Sequence, residues 1–410
     1  MKLKNLYRYI LFLFPIFGIS SNISNNNGTL VFSGAGVAGV SYAGAIRAYE
    51  EINGDIGNSV SKVAGTSAGS IAAGMVALGY TSDDIDNVLS KLNFNDFLDG
   101  PGPSDYPHMF MNITMRYGYY DGEKLHQFLK ELVSNKLGEG KGEATLAEVS
   151  KETGKQIYIF VTNISSGSYE VLSSEDSRTR DIPLATAMHT SSDIPFFWRA
   201  DFYTEYFGKL RYVDMNDPSN LFRKDITAYV DGGAVMNYPI LYMKSNFPNS
   251  DSLGFLITTD EMINWFKNGG NRPTHEEHLI PTGQILDYVQ KLMFTLMDSQ
   301  YAIFVQNREV LESTVLIDRG NISAIDFNLN EQDKKNLKRA GCNAVLDFYG
   351  KSDPDLCKNL IDENDLLKQN KGNLYTKLLS QAKNYVQSDA YQNKLNNLDK
   401  QTVEFISSRS

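Results

Sequence analysis

The sequence predicts an α/β layered fold around a largely parallel central sheet, and three observations carry that reading. Short apolar β-type runs alternate with helical patterns, the first two runs end in glycine-rich turns that open into helices, and no internal repeat is present. The 410 residues are 42% hydrophobic and 21% charged, which is the composition of a chain that buries its apolar side chains by folding. A net charge of −10, with no dense run of Lys or Arg, argues against nucleic acid as a partner.

Taken in order, Lys2, Lys4 and Arg8 precede an apolar stretch from Tyr9 to Ile19, and small residues follow at Gly18, Ser20 and Ser21. That is the layout of a secretory signal peptide, so residues 1–20 are expected to direct export and residues 21–28 to form a polar spacer. The apolar run of about 11 residues, broken by Pro15, is shorter than the ~20 a spanning helix needs. Asn-x-Ser/Thr matches at Asn22, Asn27, Asn112, Asn163 and Asn321 are what chance supplies in an Asn-rich chain.

Strands are expected at Thr29–Phe32, Val60–Ala64, Ile157–Val161, Tyr229–Val230, Leu253–Ile257 and Thr314–Ile317. Helices are expected at Ser41–Ile52, Ser70–Leu78, Gly122–Val133, Ile285–Val305 and Gln332–Phe348. Beyond Tyr349 the chain turns polar, and Leu374, Leu378, Leu379, Ala382, Tyr385 and Val386 recur at helical spacing. Residues 350–410 therefore read as a helical extension packed on the main domain. Cys342 and Cys357 exclude a disulfide scaffold but could pair with each other. The aromatic-rich stretch Phe94 to Tyr120, with Phe97, Met109, Phe110, Tyr119 and Tyr120, and the later Phe196, Phe197 and Trp198, suit either a core or an acyl-chain channel.

The strongest motif is Gly65-Thr66-Ser67-Ala68-Gly69, between the strand at Val60–Ala64 and a helix. In such a nucleophile elbow the serine sits on a tight turn, and Gly65 and Gly69 leave the room that a Cβ would fill. A second glycine-rich loop, Gly34-Ala35-Gly36-Val37-Ala38-Gly39, follows the first strand. It could cradle a dinucleotide, but the acidic ribose ligand expected after the second strand is missing. It could equally offer backbone amides to a developing oxyanion. A third motif, Asp231-Gly232-Gly233, places a carboxylate at a strand end, where it could accept the proton of Ser67. A serine–acid–histidine order would need His275 or His278, since His108, His126 and His189 precede Asp231. Without either, the carboxylate acts on the serine directly.

Together, the loop at 34–39, Gly-Thr-Ser-Ala-Gly at 65–69, Ser-Ser-Asp-Ile-Pro at 191–195 and Asp-Gly-Gly at 231–233 resemble the patatin-like phospholipases in order and spacing. The resemblance covers residues 29–349, including Leu316 to Ser323. It implies a three-layer α/β/α fold and a Ser-Asp dyad without histidine. Ser67 would then be the nucleophile, Asp231 the base, and the backbone of Gly34, Ala35 and Gly36 the oxyanion hole, with Gly39, Gly232 and Gly233 shaping the turns. Family members commonly carry Arg or Lys near the end of the glycine loop, where this chain has Val37-Ala38-Gly39.

The expected activity is metal-independent and cofactor-free hydrolysis of fatty-acyl esters in membrane phospholipid, with the membrane surface as partner. Rival readings are a carboxylesterase on soluble esters, a nucleotide-binding oxidoreductase and a non-catalytic lipid-binding protein. The sequence names no activating protein.

Overall fold

All six apolar runs expected as strands pair in the protein, and five of them form the parallel part of one sheet. The computed structural model describes residues 28–101, 105–220, 222–273, 285–302, 307–324, 326–351, 355–358, 374–397 and 400. The signal-peptide segment, most of the polar spacer, Asn22, Asn27, His275 and His278 lie outside the described residues. The strands are β1 (Gly28–Phe32), β2 (Val60–Thr66), β3 (Gly118–Tyr120), β4 (Gln156–Asn163), β5 (Ser168–Ser173) and β6 (Phe196–Trp198). They continue as β7 (Asp201–Tyr206), β8 (Lys209–Val213), β9 (Thr227–Asp231), β10 (Asp251–Thr258) and β11 (Thr314–Asp318).

The order β11-β10-β1-β2-β4 is parallel throughout, while β5, β9, β7 and β8 add antiparallel pairs. β3 and β6 form a separate parallel pair. Alternation along the central strands sorts their side chains onto two faces. Leu30, Phe32, Val63, Ile157, Ile159, Phe255 and Ile257 enter one core with Ala45, Ile46, Ile71, Leu129 and Leu337 of the helices on that face. Val31, Ala64, Tyr158, Phe160 and Leu256 enter another with Ile240, Met262, Phe266 and Val310. Helices on both faces of a buried sheet make the three-layer α/β/α arrangement.

One detail of the pairing positions the chemistry. β5 runs along one edge of β4 from Tyr158 to Asn163. β2 pairs with β4 up to Phe160, and β9 pairs with it from Val161 onward. A strand has only two edges, so β2 and β9 share the other one, tip to tip. Because β9 is antiparallel to β4, the C-terminal ends of β2 and β9 face each other there.

The helix Leu374–Val386 packs on the helices Glu123–Leu137 and Ser82–Lys91, burying Tyr375, Leu378, Leu379 and Ala382 in the main core and Val386 beside them. Tyr385, counted with that stripe from its spacing, is 40% exposed instead. Cys342 and Cys357 form a disulfide that ties the helix Glu331–Phe348 to the segment after Tyr349. Among the described residues no helix is long and apolar enough to cross a membrane. The aromatic-rich stretch divides: Phe97 is core, whereas Phe110 is 48% exposed.

Candidate active site

β2 ends at Thr66 and the helix Ala68–Ala77 starts immediately, leaving Ser67 as the single residue of the turn. Its backbone adopts φ 53 and ψ −130, a conformation that costs a non-glycine residue ~1–3 kcal/mol. The flanking glycines make the turn physically possible. A Cβ at Gly65 would lie 2.2 Å from the Gly69 carbonyl oxygen, and one at Gly69 would lie 2.5 Å from that of Phe32. The strained turn is held from the side: the Ser67 N–H donates to Ser191 Oγ at 2.9 Å, and that hydroxyl donates to the Phe160 carbonyl at 2.7 Å. The hydroxyl of Ser67 stands at a helix N-terminus, where the backbone dipole favours developing negative charge.

β9 arrives opposite and delivers Asp231 as its last residue. Ser67 Oγ donates to Asp231 Oδ2 at 2.6 Å, and the Gly233 N–H donates to Oδ1 at 2.7 Å. The carboxylate is 4% exposed. Burial raises its pKa from 3.8 to about 6, against the two hydrogen bonds, which hold it down. Its backbone is anchored too, since the Asp231 N–H donates to the Asp193 carbonyl at 2.9 Å and Thr162 Oγ1 donates to the Asp231 carbonyl at 2.9 Å. The three described histidines are occupied elsewhere: His108 with Asp121, His126 with Thr186, and His189 with Asp201.

The glycine loop follows β1, directly beside β2. Gly36 has φ +53, and a Cβ there would sit 1.9 Å from the Ala324 carbonyl oxygen. Gly39 lies so close to the elbow helix that a Cβ would fall 2.9 Å from Ala68 Cβ. Gly34, expected to supply an oxyanion amide, is corrected by its own hydrogen bond: its N–H donates to the Asn237 carbonyl at 2.9 Å. What Gly34 contributes is space, because a Cβ there would lie 2.2 Å from Asn237 Oδ1 and 3.1 Å from Ser67 Cβ. The amides of Ala35 and Gly36 have no acceptor among the described residues. The Val37 amide is spent on Ala324, so the loop holds no run of free amides of the kind a pyrophosphate needs.

The patatin-like phospholipase profile matches residues 30–244. The chain belongs to that family. Among relatives, YqhO of Bacillus subtilis is 26% identical over 324 residues, covering 76% of this chain and 94% of its own length. A probable lipid hydrolase, 463L of Invertebrate iridescent virus 6, is 26% identical over 246 residues, covering 58% of this chain and 71% of its own. VipD from Legionella pneumophila is similar in structure, with a TM-score of 0.47 at 15% identity, covering 91% of this chain and 79% of its own.

Asn237 is the residue of this patatin-like site that the sequence reading missed. Besides its carbonyl bond to Gly34, its Nδ2 donates to the Gly34 carbonyl at 3.1 Å and to Tyr301 OH at 2.6 Å. It thus fastens the glycine loop to the Asp231 turn. Its place four residues after Gly233, before a tyrosine and a proline, was the available signal. Ser191 carries the resemblance through its motif, but its grip on Ser67 needs coordinates.

Behind Ser191, the His189 ring lies between Asp201 at 2.9 Å and Asp193 at 3.4 Å. Burial would strip its proton, yet the two carboxylates raise its pKa to about 10. The cation absent from Val37–Gly39 has a counterpart nearby: Arg319 lines a cavity of about 40 Å³ together with Gly34 and Ala35. A larger cavity of about 750 Å³, lined by Lys130, Glu143 and Tyr385 among others, includes neither Ser67 nor Asp231.

Proposed function

We propose that this chain is a phospholipase A-type lipid acyl hydrolase working through a Ser67–Asp231 dyad. The observation that carries the reading is the 2.6 Å hydrogen bond between a strained, helix-capping serine and a buried carboxylate whose pKa is about 6. Such a base is ionised at neutral pH and still basic enough to accept a proton.

Ser67 Oγ attacks the ester carbonyl as Asp231 Oδ2 takes its proton. The carbonyl oxygen, now negative, is held by the amides of Ala35 and Gly36, each worth on the order of 3 kcal/mol. The alcohol leaves with the proton from Asp231, giving an acyl-Ser67 ester. Water, deprotonated by the same carboxylate, then attacks that ester; the fatty acid is released as Asp231 returns the proton to Ser67 Oγ. Every proton passes through one group, so no histidine is needed.

The family to which the chain belongs supports a lipid substrate, as does a relative named a probable lipid hydrolase. The reading of residues 1–20 as an export signal is supported by the Cys342–Cys357 disulfide, since such bonds persist in oxidising compartments.

The test is fatty-acid release from mixed phospholipid vesicles by the full chain, with a chelator present, beside Ser67→Ala. Release by the parent and none by the variant is expected. Equal release by both would overturn the serine assignment. A joint His275→Ala and His278→Ala variant is expected to keep full turnover, and its loss would replace the dyad with a triad.

A further inference from the structure

Among the described residues, seven of the twelve exposed large apolar side chains lie on three neighbouring elements. Tyr106, Phe110 and Ile113 repeat at helical spacing along the helix Tyr106–Met115 and are 67%, 48% and 48% exposed. Tyr117 and Phe196 follow at 50% and 54%, joined where the Phe196 N–H donates to the Tyr117 carbonyl at 3.2 Å. Leu292 and Leu296, one turn apart on the helix Ile285–Gln300, are 47% and 42% exposed, and that helix packs against β6.

This face carries no exposed charge between residues 106 and 120, because His108 and Arg116, 3% and 0% exposed, are turned inward. In a chain with 21% charged residues, a charge-free exposed helix matches an apolar partner. Tyr117 and Phe196 also have positive φ, 62 and 66, so the backbone is strained where it presents two aromatic rings outward.

Two of these elements are tied directly to the dyad. Phe196 directly follows the Ser191–Pro195 segment that grips Ser67, and Gln300, at the end of the helix that carries Leu292 and Leu296, donates to the Gly233 carbonyl at 2.9 Å. Ser67 itself is only 6% exposed, so an ester has to leave its own layer to reach it.

We propose that this face is a membrane-docking surface, whose partner is the interfacial zone of a phospholipid bilayer. Resting on the lipid hydrolase reading, it adds that Phe110, Ile113, Tyr117 and Phe196 enter the acyl boundary and hold the dyad's mouth against the lipid. Tyr106 and Tyr117, rings with one polar end, favour that zone, while Phe110, Ile113 and Phe196 supply the apolar contact.

The test uses Ser67→Ala, which binds without turnover, and phosphatidylcholine vesicles. Adding Phe110→Asp and Ile113→Asp should weaken co-sedimentation with vesicles at least tenfold. The same pair in the active chain should leave hydrolysis of a monomeric, water-soluble butyrate ester within twofold while lowering vesicle hydrolysis tenfold or more. Unchanged vesicle binding by the double variant overturns the proposal. So does a parent chain that is dimeric in solution while the double variant is monomeric, which would assign the face to a second copy. If the parent cleaves no lipid but its Ser67→Ala form binds vesicles through Phe110 and Ile113, the surface stands and the phospholipase reading falls.

Discussion

Replacing Asp231 by Asn is expected to stop turnover and to stabilise the protein, with a pH dependence that identifies the group. The native carboxyl has a pKa of about 6 against 3.8 in the open chain. At about 1.4 kcal/mol per unit, keeping it ionised in its buried site costs the native state ~3 kcal/mol above pH 7. The sign follows from proton counts. Between pH 3.8 and about 6 the native state binds more protons than the unfolded state, so stability falls as pH rises through that window. Asn has the same shape and keeps the Gly233 N–H bond through its own oxygen, while its NH₂ can donate to Ser67. Guanidinium unfolding of both proteins from pH 4 to pH 8 should therefore show the Asn variant gaining ~2 kcal/mol relative to the parent, nearly all of it between pH 4 and 7. Over the same range, parent kcat/KM on a soluble ester should rise with unit slope to a plateau, with about 1% of it left at pH 4. A stability difference that is flat with pH, or a kcat/KM that does not fall below pH 6, would refute the assignment of Asp231 as the titrating base.

Three further outcomes test the scaffold. Gly36→Ala drives a methyl into the Ala324 carbonyl at a φ of +53; kcat on a soluble ester should fall about 100-fold or more, as when an oxyanion donor is lost. Ser191→Ala orphans the buried Ser67 N–H and the Phe160 carbonyl, and thermal or chaotrope melts should show a loss of ~2 kcal/mol together with slower acylation. Joint Cys342→Ser and Cys357→Ser opens a link across a sequence separation of 15, which should cost ~3 kcal/mol and make the melt insensitive to reductant.

What the sequence made legible was local. β1, β2 and their glycine turns were readable because apolar run, turn and helix adjoin, and Gly65 and Gly69 are required by contacts made within or between those neighbours, whereas Gly34 and Gly36 make room for Asn237 and Ala324 far along the chain. The second half of the sheet was not. The alternating, charge-bearing strands Asp201–Tyr206 and Lys209–Val213 lack an apolar run, since they form an antiparallel hairpin whose outer positions are wet. Nor could spacing reveal that β9 is antiparallel and shares an edge with β2; that depends on where β5 sits on β4. Asn237 was hidden for the same reason, because its partners, Gly34 and Tyr301, lie 203 and 64 residues away. Gly34 was assigned the wrong service because a free amide and a spent one look alike in sequence.

The meeting of β2 and β9 has a kinetic consequence. The two halves of the dyad are separated by 164 residues, and contacts of such sequence separation form late, after the entropy of closing the intervening loops has been met. Ser67 acquires its base only when the last strand of that long excursion has found its slot on β4. Under the proposed dyad, a nascent or partly unfolded chain whose β9 has not yet paired with β4 would have an inert serine. Under the proposed export and the proposed dyad, the topology itself would keep Ser67 without its base in transit.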